Sequence, residues 1–210
     1  MAIGAIIISG IIGLFVTNTN ASKDVLRATH LNQEMRTLLE VMSSNVRKAG
    51  YWANTTRASA AENNPFGIDK VSNNPDCILF SYDTDDSSDV ILTSEKHGYR
   101  LNNRAIESRV NGTDCVLSNT WEALSNNQEL EITTLSFTQK INCSNISDPV
   151  VSNCTAGSVD YVTPDLNDVL IEIRVIDIEI SGNLKTEPNK VLTLKDTVIV
   201  ANDSTKIVSM

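Results

Sequence analysis

The feature that most constrains this chain is an apolar block that runs directly into a helical stripe. Residues 2–16 read AIGAIIISGIIGLFV, fifteen positions with Ser9 as the one polar side chain and no charge. Between Asn18 and Ala49 there is no proline or glycine, and apolar residues recur at Val25, Ala28, Leu31, Met35, Leu38, Met42, Val46 and Ala49. Gaps of three and four trace one face of an α-helix, with Leu39 beside it. Lys23, Asp24, Arg27, Glu34, Arg36, Glu40, Arg47 and Lys48 fall on the remaining surface, and Gly50 supplies a stop. Block and stripe together predict one helix of about 48 residues, roughly 70 Å long.

Fifteen apolar residues give roughly 22 Å of helix, short of the ~30 Å hydrocarbon core. A signal peptide would match the length, but no basic residue precedes the block and no small-x-small cleavage site closes it. A signal peptide also does not run unbroken into a long amphipathic helix. The reading adopted is a membrane helix that lacks its first residues, with 1–17 as its membrane or fibre-core part and 18–50 as its amphipathic part.

Charge divides the chain in the same place. Residues 1–52 carry five basic and three acidic side chains, net +2. The remainder of the 17 basic and 26 acidic residues leaves 12 and 23 in residues 53–210, net -11. No broad cationic surface exists for a nucleic-acid backbone, so no nucleic-acid partner is expected. A local basic patch around Arg100, Arg104 and Arg109 would escape this count.

The second part reads as a β-rich head. Residues 53–76 are loop-like, with Asn, Pro and Gly punctuation. Strand-like runs follow at 77–82, 90–93, 105–110, 130–139, 169–180 and 191–201. Within 169–180 the apolar phase slips between Val175 and Ile176, which predicts a bulge or a bend around the helix. Residues 181–189 suit a hairpin connection. The fold class is therefore α+β, a long N-terminal helix (domain 1–52) packed on an antiparallel β-sheet head (domain 53–210).

Four cysteines, Cys77, Cys115, Cys143 and Cys154, include no C-x-x-C pair and are accompanied by two histidines, which disfavours zinc. An even count in a chain of exported character points to disulfides. Of three connectivities, proximity in sequence favours Cys77–Cys115 with Cys143–Cys154. Asp83, Asp85 and Asp89 imitate the first half of an EF-hand loop, but Ser88 stands where glycine should be and Ser94 where the bidentate glutamate should be. A solvated turn is the reading taken, with calcium as the weaker alternative and no cofactor expected. His30 falls beside the helical stripe, and His97 lies in Glu95-Lys96-His97-Gly98, read as a turn. No nucleophile elbow, P-loop or H-E-x-x-H occurs, so no catalysis is expected.

An apolar-then-amphipathic helix followed by a β-rich head resembles the type IV pilins and type II secretion pseudopilins. The helix, closing on Lys48-Ala49-Gly50-Tyr51-Trp52, is similar to that of the PilW-type minor pilins, and residues 197–202 look like that family's terminal strand. The family's basic leader, glycine cleavage site and Phe-Thr-Leu-Ile-Glu-like start are not in this sequence, which is the same deficit that the short apolar block suggested. The resemblance implies a structural minor pilin that helps assemble or prime a type IV pilus. Its implied partners are other major and minor pilins, the inner-membrane assembly platform and a tip adhesin. It implies an inner-membrane location facing the periplasm, then the extracellular fibre, with links to adhesion and twitching motility. Ile6, Ile7, Ile11, Ile12, Leu14, Phe15, Met35, Leu38 and Met42 would carry helix packing and assembly. The alternatives are a type II secretion pseudopilin, or a membrane-anchored adhesin whose acidic head binds a ligand.

Overall fold

The computed structural model describes residues 2–53, 64–73, 76–84, 91–110, 114–116, 120–147, 153–155, 163–201 and 204–208, without the side chains of 2–12, 14 and 204–207. The fold is α+β, as the helix pattern and strand-like runs predicted. One helix, α1 (Ala2–Arg47), comprises 46 residues. It ends in a turn in which Lys48, Ala49 and Tyr51 donate to carbonyls three residues back. Gly50 adopts φ 76°, the left-handed geometry that closes a helix without a Cβ penalty. Its N–H donates to Ser81 O at 2.9 Å, and Arg47 O accepts from Ala201 N at 3.0 Å, so the helix end is tied to the head at two points.

Two antiparallel sheets make up the head, where the sequence had suggested one. The first is a meander in the order β1 (Ile68–Asn73), β2 (Asp76–Ser81), β3 (Lys96–Asn102), β4 (Ala105–Arg109) and β5 (Trp121–Ala123). The second has β7 (Val169–Leu184) between β6 (Leu130–Asn145) on one side and β8 (Leu192–Ile199) with β9 (Ser204–Ile207) end to end on the other. The sheets meet where Arg104 O accepts from Ile132 N at 2.9 Å.

Several local expectations are corrected. β1 lies in the stretch read as loop, because its Ile-Asp-Lys-Val-Ser-Asn is too polar to show a strand phase. Residues 91–92 are not strand, and Thr93–Glu95 form a 3-10 turn whose buried Glu95 accepts from Leu92 N at 2.6 Å. His97 and Gly98 belong to β3 rather than a turn. Gly98 is needed there for close approach, since a Cβ would sit 2.6 Å from Ile78 O and 2.8 Å from Leu79 Cδ2. The register of β6 with β7 runs without a shift from Leu135↔Ile180 to Asn145↔Leu170, so the phase slip at Val175 and Ile176 is not a bulge. Instead the helix-facing residues Ile176, Ile178 and Ile180 are buried, and the odd-numbered residues of the distal half occupy the other face. The irregularity in this pair falls between Ile132 and Thr134. Residues 181–184 continue β7, which moves the hairpin connection later in the chain.

One core joins helix and both sheets. Leu31, Met35, Leu38, Leu39, Met42, Val46 and Ala49 pack with Ile78, Phe80, Tyr99 and Ile106 of the first sheet and Leu135, Phe137, Ile176, Ile178, Ile180 and Val198 of the second. β2 is buried on both faces because its alternate residues Cys77 and Leu79 form a second cluster with Cys115 and Trp121. The disulfides are Cys77–Cys115 and Cys143–Cys154, the pairing expected from proximity.

The Gly98→Ala variant should lose about 1–3 kcal/mol of stability, the usual cost of overpacking, whereas Gly13→Ala, with nothing within 4 Å, should leave the head's denaturation midpoint unchanged. Separations of 38 and 11 residues make loss of Cys77–Cys115 cost about 4 kcal/mol and loss of Cys143–Cys154 about 3 kcal/mol in the chain-entropy picture. Paired Cys→Ala variants compared by denaturant titration check that order.

Candidate functional site: the helix and its neck

Along α1 the stripe is buried from Leu31 onward, but residues 20–30 are all exposed. Phe15 is 71% exposed and Leu26 69%. Eleven positions separate these two, three helical turns, so they share a face about 16 Å apart. Val16 and Val25 are exposed beside them. The hydroxyls of Thr17, Thr19, Ser22 and Thr29 each donate to the carbonyl four residues back, at 2.8–2.9 Å. Hydroxyls satisfied in this way add no unpaired donor to a helix–helix contact.

Met35, Leu38 and Met42 are buried against the head. Ile6, Ile7, Ile11, Ile12 and Leu14 lie outside the described side chains. Among the described residues no helix is long and apolar enough to cross a membrane. The described residues therefore do not support the expected transmembrane helix. The block stops at Val16, and the polar Thr17 to Lys23 segment follows.

At the neck, α1 leaves the head through a groove of about 770 Å³ lined by Leu26, Arg27, His30, Gln33, Glu129 and Leu184, among others. A second groove of about 390 Å³ adjoins it on the other side of His30, reaching Leu38, Leu124 and Leu130. Arg27 reaches across to Glu187 at 3.5 Å. His30, Glu34 and Glu129 bring one ligand atom each within 4.8 Å of one another, a group that sequence reading missed. Only the four-residue spacing of His30 and Glu34 was visible in sequence.

Other candidates resolve into structure. Asp83 is buried, its N–H donating to Tyr51 O at 2.9 Å and its carboxylate accepting from Ala53 N at 3.1 Å, so it fastens the chain after the helix. Asp85 and Asp89 lie outside the described residues. The suggested basic patch does not exist as a surface. Arg100 is buried, stacks over Trp121 at 4.6 Å, and donates to Glu107 at 2.7 Å and Cys115 O at 2.6 Å. Arg109 is buried too, and exposed Arg104 pairs with Glu131 at 2.6 Å.

The helix end rests on an aromatic cluster. His97 stacks on Tyr82 with centroids 4.1 Å apart, Phe80 adjoins both, and Asn45 donates to the Tyr99 hydroxyl at 2.6 Å. Burial first, then the charges of Arg109 and Lys48, lower the His97 pKa from 6.5 to about 4.

The family model of prepilin peptidase-dependent protein B matches residues 24–200. The chain belongs to that family. The match takes in the helix from Asp24 and the head through Val200, so it rests on the head as well as on the helix pattern. It places the chain among pilin-related proteins. No curated protein and no solved structure matches the chain significantly.

The His97 shift has a definite sign. The folded state binds the proton more weakly than the unfolded one, so this contribution is complete above pH 6.5 and is lost as pH falls toward 4. The interval corresponds to at most about 3 kcal/mol, reduced by the partial exposure of the ring. Denaturation midpoints measured between these pH values should fall in the native chain and fall less in His97→Gln.

Proposed function

We propose that this protein is a structural, non-catalytic subunit that takes part in assembling or priming a type IV pilus. The observation that carries the reading is the exposed helix. The stripe that buries Leu31 to Ala49 in its own head continues outward through Ala28 and Val25, and Leu26 and Phe15 form a second apolar line on the opposite side of the helix; all four are exposed, with no cover from that head. Exposed apolar side chains in line on a helix are most readily buried by other helices. Membership of a prepilin peptidase-dependent family supports the same reading.

On this reading the partners are other major and minor pilins through helix packing, the inner-membrane assembly platform, and a tip adhesin above. The protein would be membrane-associated on the periplasmic side before assembly and extracellular in the fibre. Two disulfides suit that oxidising route. The acidic head disfavours nucleic acid, and the burial of Arg100 and Arg109 strengthens this.

Immunogold labelling of sheared fibres with an antibody to the head tests the proposal. Label on pili, and fewer pili in a deletion strain, are expected. Normal piliation together with defective protein secretion would replace the reading with the secretion pseudopilin. Normal piliation with a lost surface-binding phenotype would replace it with the anchored adhesin.

A further inference from the structure

We propose that His30, Glu34 and Glu129 form a binding site for a divalent transition-metal ion of the zinc type, which clamps the helix to the head at the neck. His30 and Glu34 stand four residues apart on α1, hence on one face, with Nε2 and Oε1 3.4 Å apart. Glu129 comes from the turn before β6, and one ligand atom of each residue lies within 4.8 Å of the others. Ligands around a tetrahedral ion bonded at about 2.0–2.1 Å are separated by roughly 3.3 Å. The side chains therefore need to close by at most about 1.5 Å, within the reach of a rotamer adjustment on a half-exposed helix face.

The third ligand is held independently of any ion. Glu129 N donates to Asn126 O at 3.3 Å, Leu130 N to the same oxygen at 3.1 Å, and Gln128 N to Asn126 Oδ1 at 3.0 Å. Lys185 N donates to Glu129 O at 2.9 Å, fixing this turn to the end of β7. The backbone that carries Glu129 is thus anchored on both sides.

Charge supports a cation here. The two carboxylates bring negative charge to the cluster, and among the described residues no lysine or arginine forms an ion pair with Glu34 or Glu129. Arg27, the cation one turn away, is engaged with Glu187. One nitrogen and two oxygens suit zinc or its neighbours, whereas calcium takes six to eight oxygens. Three protein ligands leave a position for water from the adjoining grooves. A bound ion would close the neck because it joins the helix to the β5–β6 turn, whereas the Arg27–Glu187 pair reaches the β7–β8 connection instead, at 3.5 Å and in a screened setting.

The test is titration of the purified full-length chain with Zn²⁺ by calorimetry, and with Co²⁺ by visible absorption. One saturable equivalent is expected, with a Co²⁺ spectrum of low-coordinate N/O type. His30→Ala and Glu129→Gln should each weaken binding by more than about tenfold, since even outer-shell changes at metal sites cost this much. Both positions are at the surface, so circular dichroism should show an unchanged fold. Glu187→Gln, which removes the neighbouring ion pair, should bind as the native chain does. Hydrogen exchange should slow with Zn²⁺ in residues 26–34 and 126–130. Absence of saturable binding, or binding retained in the His30→Ala/Glu129→Gln double variant, overturns the site. Binding without slowed exchange overturns the clamp. None of these outcomes bears on fibre labelling, so the site and the pilus reading stand or fall separately.

Discussion

Burial of one helical stripe between two sheets is the interaction on which the rest of this structure depends. Leu31, Met35, Leu38, Leu39, Met42 and Val46 lose nearly all their solvent contact. At about 1.5–3 kcal/mol for each such side chain, six of them contribute roughly 9–18 kcal/mol, an upper estimate given that unfolded chains are partly compact. That is comparable to the entire net stability of an ordinary domain. The two sheets are not one hydrogen-bonded surface. They share a core because Ile78, Phe80 and Tyr99 from one and Ile176, Ile178 and Val198 from the other meet the same helix residues. The helix is consequently part of the head's interior as well as its stem.

The covalent and polar links act where this core does not reach. Cys77–Cys115 closes the outer face of the first sheet, and the Arg100 guanidinium lies in the same region, between Trp121, Glu107 and the Cys115 carbonyl. A buried charge of this kind is tolerable because each side of it is matched by an acceptor or a ring face. Removing Glu107 alone would leave the cation uncompensated, which is more costly than never having the pair. The head carries a net charge of -11. Two of the arginines that could have offset that charge are used internally.

What the sequence disclosed and what it hid follow from the range of the interactions. A stripe with gaps of three and four over 25 residues reports a single burying face, so α1 was legible to within a few residues of Arg47. β-Branched runs made β7 and β8 legible for a similar reason. β1 and β3 were hidden because their pairing is specified by neighbours: Lys70 opposes Leu79, and Gly98 reads as a turn residue until Ile78 is seen to lie against it. Two sheets rather than one cannot be deduced from local alternation. In the same way Glu129 had no detectable relation to His30, since 99 positions separate them and the turn at Asn126 alone brings them together.

The position at which burial stops along α1 has a physical meaning of its own. Nothing in the sequence marks Leu31 as a boundary: Val25 and Ala28 continue the stripe with the same spacing, and no helix breaker intervenes. The head ends before the stripe does. Val25 and Leu26 stay about two-thirds exposed on a helix whose hydroxyls are already internally bonded. A stripe that periodicity maintains and the chain's own fold leaves uncovered carries a standing free-energy gain for any surface that covers it. The same residues would be poor choices for the surface of an isolated monomer, because each exposed apolar position raises the tendency to associate without adding stability. The pattern is economical where a further surface covers it, which makes the outer half of α1 an unfinished core.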